Sequence, residues 1–247
     1  MGTTVIIPSR YGSTRFDGKP LSKIMGKPMI QHVFERCMNA ANVDDVIVAT
    51  DDKRITDAVK SFGGKAVMTS DDNRSGTDRV AEAAEMIGLG DDEIIINIQG
   101  DQPLISPEGI KEVAKPFYSE KNIEMSTLAY AIIREEEMTN PKDVKVTIDN
   151  KGFALYFSRS TIPFDRDGDS SFPTYKHLGV YAYTYRFLKE FRCLTEGKLE
   201  KIEKLEQLRA LEHGYKIKIV VTKHDSPEVD YPGDIPMIEA LLTNGSV

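Results

Sequence analysis

Thirteen residues near the start of the chain, Pro8-Ser9-Arg10-Tyr11-Gly12-Ser13-Thr14-Arg15-Phe16-Asp17-Gly18-Lys19-Pro20, gather the groups that an anion needs. Arg10, Arg15 and Lys19 supply positive charge. Gly12 and Gly18 let backbone N–H groups turn towards an anion, and Ser13 and Thr14 add hydroxyl donors. The set suits a polyphosphate. Its spacing is neither the Walker A pattern nor G-x-G-x-x-G, which disfavours P-loop hydrolases and dinucleotide enzymes. Asp101, in Gln99-Gly100-Asp101-Gln102-Pro103, is the second chemically suggestive residue. A lone Asp after a strand is most often a turn or helix cap. On the same sheet edge as a phosphate loop, it also suits a hard cation such as Mg²⁺, which takes one or two carboxylates together with phosphate oxygens. Ser75-Gly76-Thr77 opens a helix and reads first as an N-cap; Asp51 and Asp52 are expected to cap the helix that follows them.

These residues need a scaffold that brings strand ends together. Val5-Ile6-Ile7, Val46-Ile47-Val48-Ala49, Ala66-Val67-Met68 and Glu93 to Ile98 read as strands apolar on both faces. Helical spacing lies between them over Met29 to about Ala41, Asp52 to Phe62 and Gly76 to Ile87. Continuously apolar strands alternating with helices imply a parallel sheet covered on both sides. The expected fold class is α/β, a doubly wound, mostly parallel nucleotide-binding sheet. After about residue 120 the pattern becomes strand-like, at Met125 to Ile133, Val144 to Ile148, Phe153 to Ser158 and Leu178 to Tyr183. Helices are expected at Tyr185 to Phe191, Leu199 to His213 and Asp234 to Leu242, with one more strand at Lys216 to Val221. The expectation is one domain over 1–247 carrying an inserted antiparallel β-region at about 120–190. In open parallel sheets, ligands bind beyond the carboxyl ends of the strands, which is where the cationic loop and Asp101 fall.

Composition narrows the partners. The 247 residues carry a net charge of −7, yet residues 1–30 hold Arg10, Arg15, Lys19, Lys23 and Lys27 against the single acid Asp17. The other 217 residues hold 27 basic and 38 acidic groups, so a bulk basic footprint for nucleic acid is absent. No stretch approaches the roughly 18 apolar residues of a membrane span, and the N-terminus lacks a signal-peptide pattern. Cys37 and Cys193 are too few for a disulfide scaffold and lack metal-ligand spacing. A cytoplasmic protein binding neither nucleic acid nor membrane is expected.

The motifs resemble, in order, those of the CMP-Kdo synthetase (3-deoxy-manno-octulosonate cytidylyltransferase) family. The resemblance is carried by Pro8-x-Arg10-x-Gly12-Ser13-x-Arg15 with Gly18-Lys19-Pro20-Leu21, then by Gly26-Lys27-Pro28-Met29-Ile30 and Val48-Ala49-Thr50-Asp51. It continues through Ser75-Gly76-Thr77-Asp78-Arg79, Gln99-Gly100-Asp101-x-Pro103 and Ala154-Leu155-Tyr156-Phe157-Ser158-Arg159. His177-Leu178-Gly179 with Tyr181, Leu205-Glu206-Gln207-Leu208-Arg209 and Val229-Asp230 complete the set. Each motif is weak alone; the ordered set is specific and covers nearly the whole chain. Departures from the commoner pattern fall at Ser9, Asp17, Gln102, Tyr231 and Gly233. None removes a motif cation or a motif aspartate. Several stretches look closer to a branch that activates the 8-amino analogue of the sugar.

The resemblance implies that CTP and Kdo, or its 8-amino analogue, give CMP-sugar and pyrophosphate for lipopolysaccharide synthesis. It implies that Arg10, Arg15, Lys19 and Asp101 act in catalysis. The nucleotide would lie on Pro8, Ser9, Arg10, Gly12, Ser13, Lys19, Asp101 and, for the cytosine, Ser75, Gly76 and Thr77. Asp230 joins Asp101 as the second carboxylate for Mg²⁺. The acidic sugar would be held by Arg15, Gln99, Arg159, His177, Tyr181, Glu206 and Gln207, and the insertion would help to form a homodimer. Taken alone, His177 and Tyr181 read as structural, and Glu206 and Gln207 as the solvated face of a charged helix. Two rival readings are a glycosyltransferase of related fold, which generally carries Asp-x-Asp where this chain has one Asp, and a non-catalytic nucleotide-binding regulator.

Overall fold

A computed structural model of the protein describes residues 2–12, 16–168 and 172–244. The first half alternates as expected: β1 (Thr3–Ser9), a small hairpin of β2 (Lys23–Ile24) and β3 (Lys27–Pro28), α1 (Met29–Met38), β4 (Asp45–Thr50), α2 (Lys53–Ser61), β5 (Lys65–Met68), α3 (Gly76–Met86) and β6 (Ile94–Asn97). Then come α4 (Pro107–Ser119), β7 (Met125–Ala131), α5 (Glu135–Thr139), β8 (Lys145–Ile148), β9 (Ala154–Ser158) and β10 (Tyr175–Thr184). The chain ends with α6 (Tyr185–Cys193), α7 (Lys198–Glu203), α8 (Leu208–Glu212), β11 (Lys218–Thr222) and α9 (Ile235–Thr243).

The central sheet runs β11-β7-β10-β6-β1-β4-β5. β1 pairs in parallel with β4 and β6, β4 with β5, and β7 with β11, whereas β10 is antiparallel to both β6 and β7. β7 and β10 therefore belong to the central sheet itself. The β8–β9 hairpin is appended to β10 through Tyr175↔Val146. Every β1 residue is buried, and alternate side chains enter opposite layers. Val5 and Ile7 pack with Ile30 and Val33 of α1 and Ile110 of α4, while Ile6 packs with Val80 of α3 and Leu188 of α6. Both faces are covered, which is why the centre of the strand, Val5-Ile6-Ile7, is apolar without alternation. Fully burying such a side chain stabilises by about 1.5–3 kcal/mol.

Two local expectations are corrected, and α4 adds a helix outside the expected set. Pro107 sits at the first helical turn, where its missing N–H costs nothing, and Pro116 is accommodated inside the helix and buried. The single helix expected over Leu199 to His213 is two short helices. Lys204 is left-handed at φ 54° and ends α7. A buried ion pair of Arg209 with Glu200, at 2.5 and 2.9 Å, ties α8 back onto α7. Glu206 and Gln207 consequently sit in the break between the helices and not on a solvated helical face. β10 is also longer than expected and carries a bulge between His177 and Tyr181, with Gly179 at φ 67°.

Candidate active site

The carboxyl ends of β1 and β6 and the start of α3 meet closely because glycines permit it. A Cβ on Gly76 would lie 3.4 Å from Pro8 Cγ, and one on Gly100 would lie 3.4 Å from both the Pro8 carbonyl and Ser9 Oγ. Pro8, Ser9, Gly76, Gln99 and Gly100 thus form one floor. The loop beyond β1 folds back at Gly18, whose φ is 66° and whose N–H donates to the Tyr11 carbonyl at 3.0 Å. A side chain at Gly18 would strike the Tyr11 ring at 3.0 Å. This turn delivers Lys19. Its Nζ donates to Asp101 Oδ2 at 2.6 Å and to the Val229 carbonyl at 3.0 Å. Arg10 and Gly12 are exposed at the mouth of the loop; Ser13 and Arg15 lie outside the described residues. Asp17 is exposed and its charge acts on Arg54, which is held mainly by Asp52 and stacks over the Tyr11 ring at 3.2 Å. The acid in the cationic loop therefore faces a cation of α2.

Asp230 is brought to the same place from the far end of the chain. The Val229 N–H donates to the Asp101 carbonyl at 3.0 Å. The Val229 side chain is fully buried with Ile24, Met29, Leu104 and Ile238, so packing fixes this segment. Asp234 Oδ2 accepts from the Asp230 N–H at 2.8 Å, and Lys142 Nζ stands 3.6 Å from Asp230 Oδ2. Among the described residues no group of three or more His, Cys, Asp or Glu side chains could hold a metal unaided. Two carboxylates beside a phosphate loop fit Mg²⁺, whose remaining ligands are phosphate oxygens and water.

The cap of α3 has a second duty. Ser75 Oγ accepts from the Asp78 N–H at 3.1 Å, as an N-cap should, and donates to Glu206 Oε1 at 2.7 Å. Thr77 Oγ1 donates to Glu206 Oε2 at 2.6 Å. Burial pushes the Glu206 carboxyl up, while the Thr77 and Ser75 hydroxyls and Arg209 pull it down. Asp52 caps α2 as expected, accepting from Arg54 N–H at 2.8 Å. Asp51 does not cap. It pairs with the fully buried Arg79, which also donates to Thr69, and so braces α3 against the ends of β4 and β5.

The expected sugar-side residues fall into two groups. Tyr181 donates to Gln207 Oε1 at 3.1 Å, next to Glu206, and Gln99 donates to Asn97 Oδ1 at 3.2 Å. His177 packs between Phe157 and Tyr181, with ring centroids 5.1 Å from each, and its Nε2 meets Thr127 Oγ1 at 2.8 Å. Burial pushes its imidazole down to about 3, so the ring is neutral at ordinary pH. Ser9 Oγ, Asn97 Nδ2, Gln102 Oε1 and Gln207 Nε2 are buried with no partner among the described residues, a concentration that suits a ligand rich in polar groups. Arg159 stands apart. Its guanidinium donates to the carbonyls of Glu203 at 2.7 Å, Pro141 at 2.9 Å and Lys204 at 3.4 Å, so it clamps the end of α7 from which the Glu206 turn departs.

A cleft of about 950 Å³ is lined by His177, Leu178, Glu228 and Asp230 together with Arg134 and Lys142. The motifs did not single out Lys142, Glu228 or the buried Lys176. Lys176 Nζ donates to Glu137 at 2.7 Å and Asp225 at 2.9 Å, joining α5 and β10 to the segment that leads to Asp230. No motif spacing signals such a tie, because its members come from three distant stretches.

Known proteins resemble this chain along nearly its whole length. The family model described as Cytidylyltransferase matches residues 4–218. The chain is 64% identical to the 3-deoxy-manno-octulosonate cytidylyltransferase of Desulfatibacillum aliphaticivorans, over 98% of this chain and 99% of that protein. It is 55% identical to the 8-amino-3,8-dideoxy-manno-octulosonate cytidylyltransferase of Shewanella piezotolerans, again over 98% and 99%. A solved structure of CMP:2-keto-3-deoxy-manno-octonic acid synthetase complexed with CTP matches with a TM-score of 0.93 and 41% identity, over 99% of this chain and 100% of that one. With a cationic loop, a carboxylate and a capped helix on one sheet edge, and with likeness along its whole length, the chain belongs to the cytidylyltransferase family.

Proposed function

We propose that the protein transfers CMP from CTP to the anomeric hydroxyl of a 3-deoxy-manno-octulosonate sugar or its 8-amino analogue. The sugar oxygen bonds to the α-phosphorus, the bond from that phosphorus to the β-phosphate bridge breaks, and pyrophosphate leaves while the hydroxyl proton is lost. The observation that carries this reading is the contact of Lys19 with Asp101 and with the backbone beside Asp230. It joins the phosphate loop to both motif aspartates. The names of the relatives supply the substrates.

In such a transfer, positioning and charge neutralisation do most of the work. Arg10, Arg15 and Lys19 bind the triphosphate over the floor made by Pro8 and Ser9, with Gly12 and Ser13 contributing loop donors. Ser75, Gly76 and Thr77 hold the cytosine side, with Glu206 orienting the two hydroxyls. Asp101 and Asp230 would hold Mg²⁺, which when bound supplies Lewis-acid polarisation of the phosphate. Gln99, His177, Tyr181 and Gln207 take sugar hydroxyls. His177 serves there as a neutral hydrogen-bonding group, and Arg159 acts through the turn it clamps. The exposed apolar side chains Ile133, Leu155 and Phe164 support a homodimer formed through the 120–190 region. No helix among the described residues is long and apolar enough to cross a membrane. The names of the relatives support a biosynthetic enzyme supplying lipopolysaccharide, and the two free thiols accord with a reducing cytoplasm.

The test is a pyrophosphate-release assay with CTP, Mg²⁺ and each sugar acid, omitting one component at a time. Release is expected only when all three are present. Release of a nucleoside diphosphate from a nucleotide-sugar would favour a glycosyltransferase, and CTP binding with no turnover would favour a regulator.

A further inference from the structure

Two kinds of relative stand at nearly the same similarity to this chain. Those named for 3-deoxy-manno-octulosonate are 57–64% identical, and those named for the 8-amino sugar are 55–56% identical. The two sugars differ at one group, a neutral hydroxyl in one and an amine, protonated near neutral pH, in the other. A site that reads this difference needs a carboxylate beside that group.

Gln102 and Glu228 supply one. Gln102 is fully buried, and its Nε2 donates to the Leu178 carbonyl at 2.6 Å while lying 3.5 Å from Glu228 Oε1. Both neighbours are acceptors, so position 102 must offer a donor. A glutamate there would set one carboxylate against another in a buried place. Gln102 makes position 228 compatible with a carboxylate. Gly179 defines the other side: a Cβ added at the bulge would lie 3.5 Å from Glu228 Oε1, so that carboxylate rests against the backbone between His177 and Tyr181. Glu228 lines one cleft with His177, Leu178 and Asp230. Burial raises the Tyr181 phenol, and the charges of Tyr183, Glu206 and Glu228 add to that. Glu228 is two residues from Asp230, at most about 7 Å between Cα atoms.

We propose that Glu228, set at the β10 bulge opposite the Gln102 amide, is a specificity-determining residue that binds the ammonium of an amino-substituted 3-deoxy sugar acid. This rests on the reading of the β10 face as the sugar pocket.

The experiment measures kcat/KM for CTP turnover with 3-deoxy-manno-octulosonate and with its 8-amino analogue, in the native protein and in Glu228→Gln. The native protein is expected to favour the amino sugar. Glu228→Gln is expected to lower the amino-to-hydroxyl ratio at least tenfold, chiefly through KM for the amino sugar. Because the ratio is taken within one protein, a loss of folded enzyme cancels. A ratio unchanged within twofold, or a native preference for the hydroxyl sugar, overturns the assignment of Glu228 and leaves the enzyme reading intact. Turnover of neither sugar by the native protein overturns both.

Discussion

Lys19 Nζ lies 2.6 Å from Asp101 Oδ2, across 82 residues of sequence, and the same ammonium donates to the carbonyl of Val229. One side chain thus connects the phosphate loop, the end of β6 and the segment that carries Asp230. Loss of one preorganised charge-stabilising group in such a site costs about 10²–10³ in kcat. Asp101→Asn and Lys19→Met are each expected to lose activity by at least that factor, with a melting temperature within about 4 °C of native. Pyrophosphate release and a thermal melt on the same samples check this, and near-native turnover in either variant contradicts it.

Glu206 accepts from two hydroxyls that come from the cap of α3. Glu206→Ala leaves both donors without that acceptor, and an orphaned buried donor costs about 1–3 kcal/mol. The expected outcome is a raised KM for CTP, by roughly tenfold, accompanying any effect on the sugar. Steady-state kinetics with each substrate varied in turn separate the two, and an unchanged KM for CTP would place Glu206 on the sugar side alone.

The imidazole of His177 is held down to about 3 by burial, so it stays in its neutral form and does not titrate near neutrality. His177→Gln is expected to raise KM for the sugar while leaving the shape of the kcat profile between about pH 5.5 and 8 unchanged. A limb with a pKa near the ordinary histidine value of about 6.5, present in the native enzyme and absent in the variant, would instead make His177 the proton carrier.

Most of the sheet was legible because β1, β4 and β6 are apolar runs too long for one-sided strands and are separated by helical spacing. The loop cations and Asp101 were legible because they follow strands directly. The Glu206 turn was hidden: only the left-handed Lys204 breaks the helix, and lysine carries no signal for that conformation. The pairing of Ser75 and Thr77 with Glu206 spans about 130 residues, as the partners in a capping box never do, and no local pattern encodes it. Arg159 looked like a sugar cation, yet its donors meet backbone carbonyls whose positions depend on the whole α7 packing.

Glu137 is a titration marker for the strut behind Asp230. Burial pushes its carboxyl up, but hydrogen bonds from Lys176 and Arg134 outweigh this and bring it from 4.5 to about 2. A depressed acid stabilises the fold above its unfolded pKa, and that contribution fades as pH falls from about 4.5 towards 2. Glu137→Gln is expected to cost about 3 kcal/mol near neutral pH, since Lys176 keeps Asp225, and the gap to native should narrow as pH falls through that window. Urea melts at several pH values measure it; a gap that stays constant would contradict the assignment.

Phe164 and Ile133 are 83% and 73% exposed, an unusual placement for side chains of their size. Sedimentation equilibrium is expected to give twice the chain mass of 27.6 kDa for the native protein and one chain mass for Phe164→Asp. A native monomer at micromolar concentration would contradict the homodimer.

In the proposed reaction one bond of CTP is broken and its CMP half is passed to the sugar acid. Phosphorus NMR of CTP, Mg²⁺ and the sugar acid with the enzyme follows both halves at once. Each CTP consumed is expected to yield one pyrophosphate and one CMP-sugar phosphodiester, with both signals absent for Asp101→Asn. Formation of CDP and inorganic phosphate, or persistence of CTP with either sugar, would contradict it.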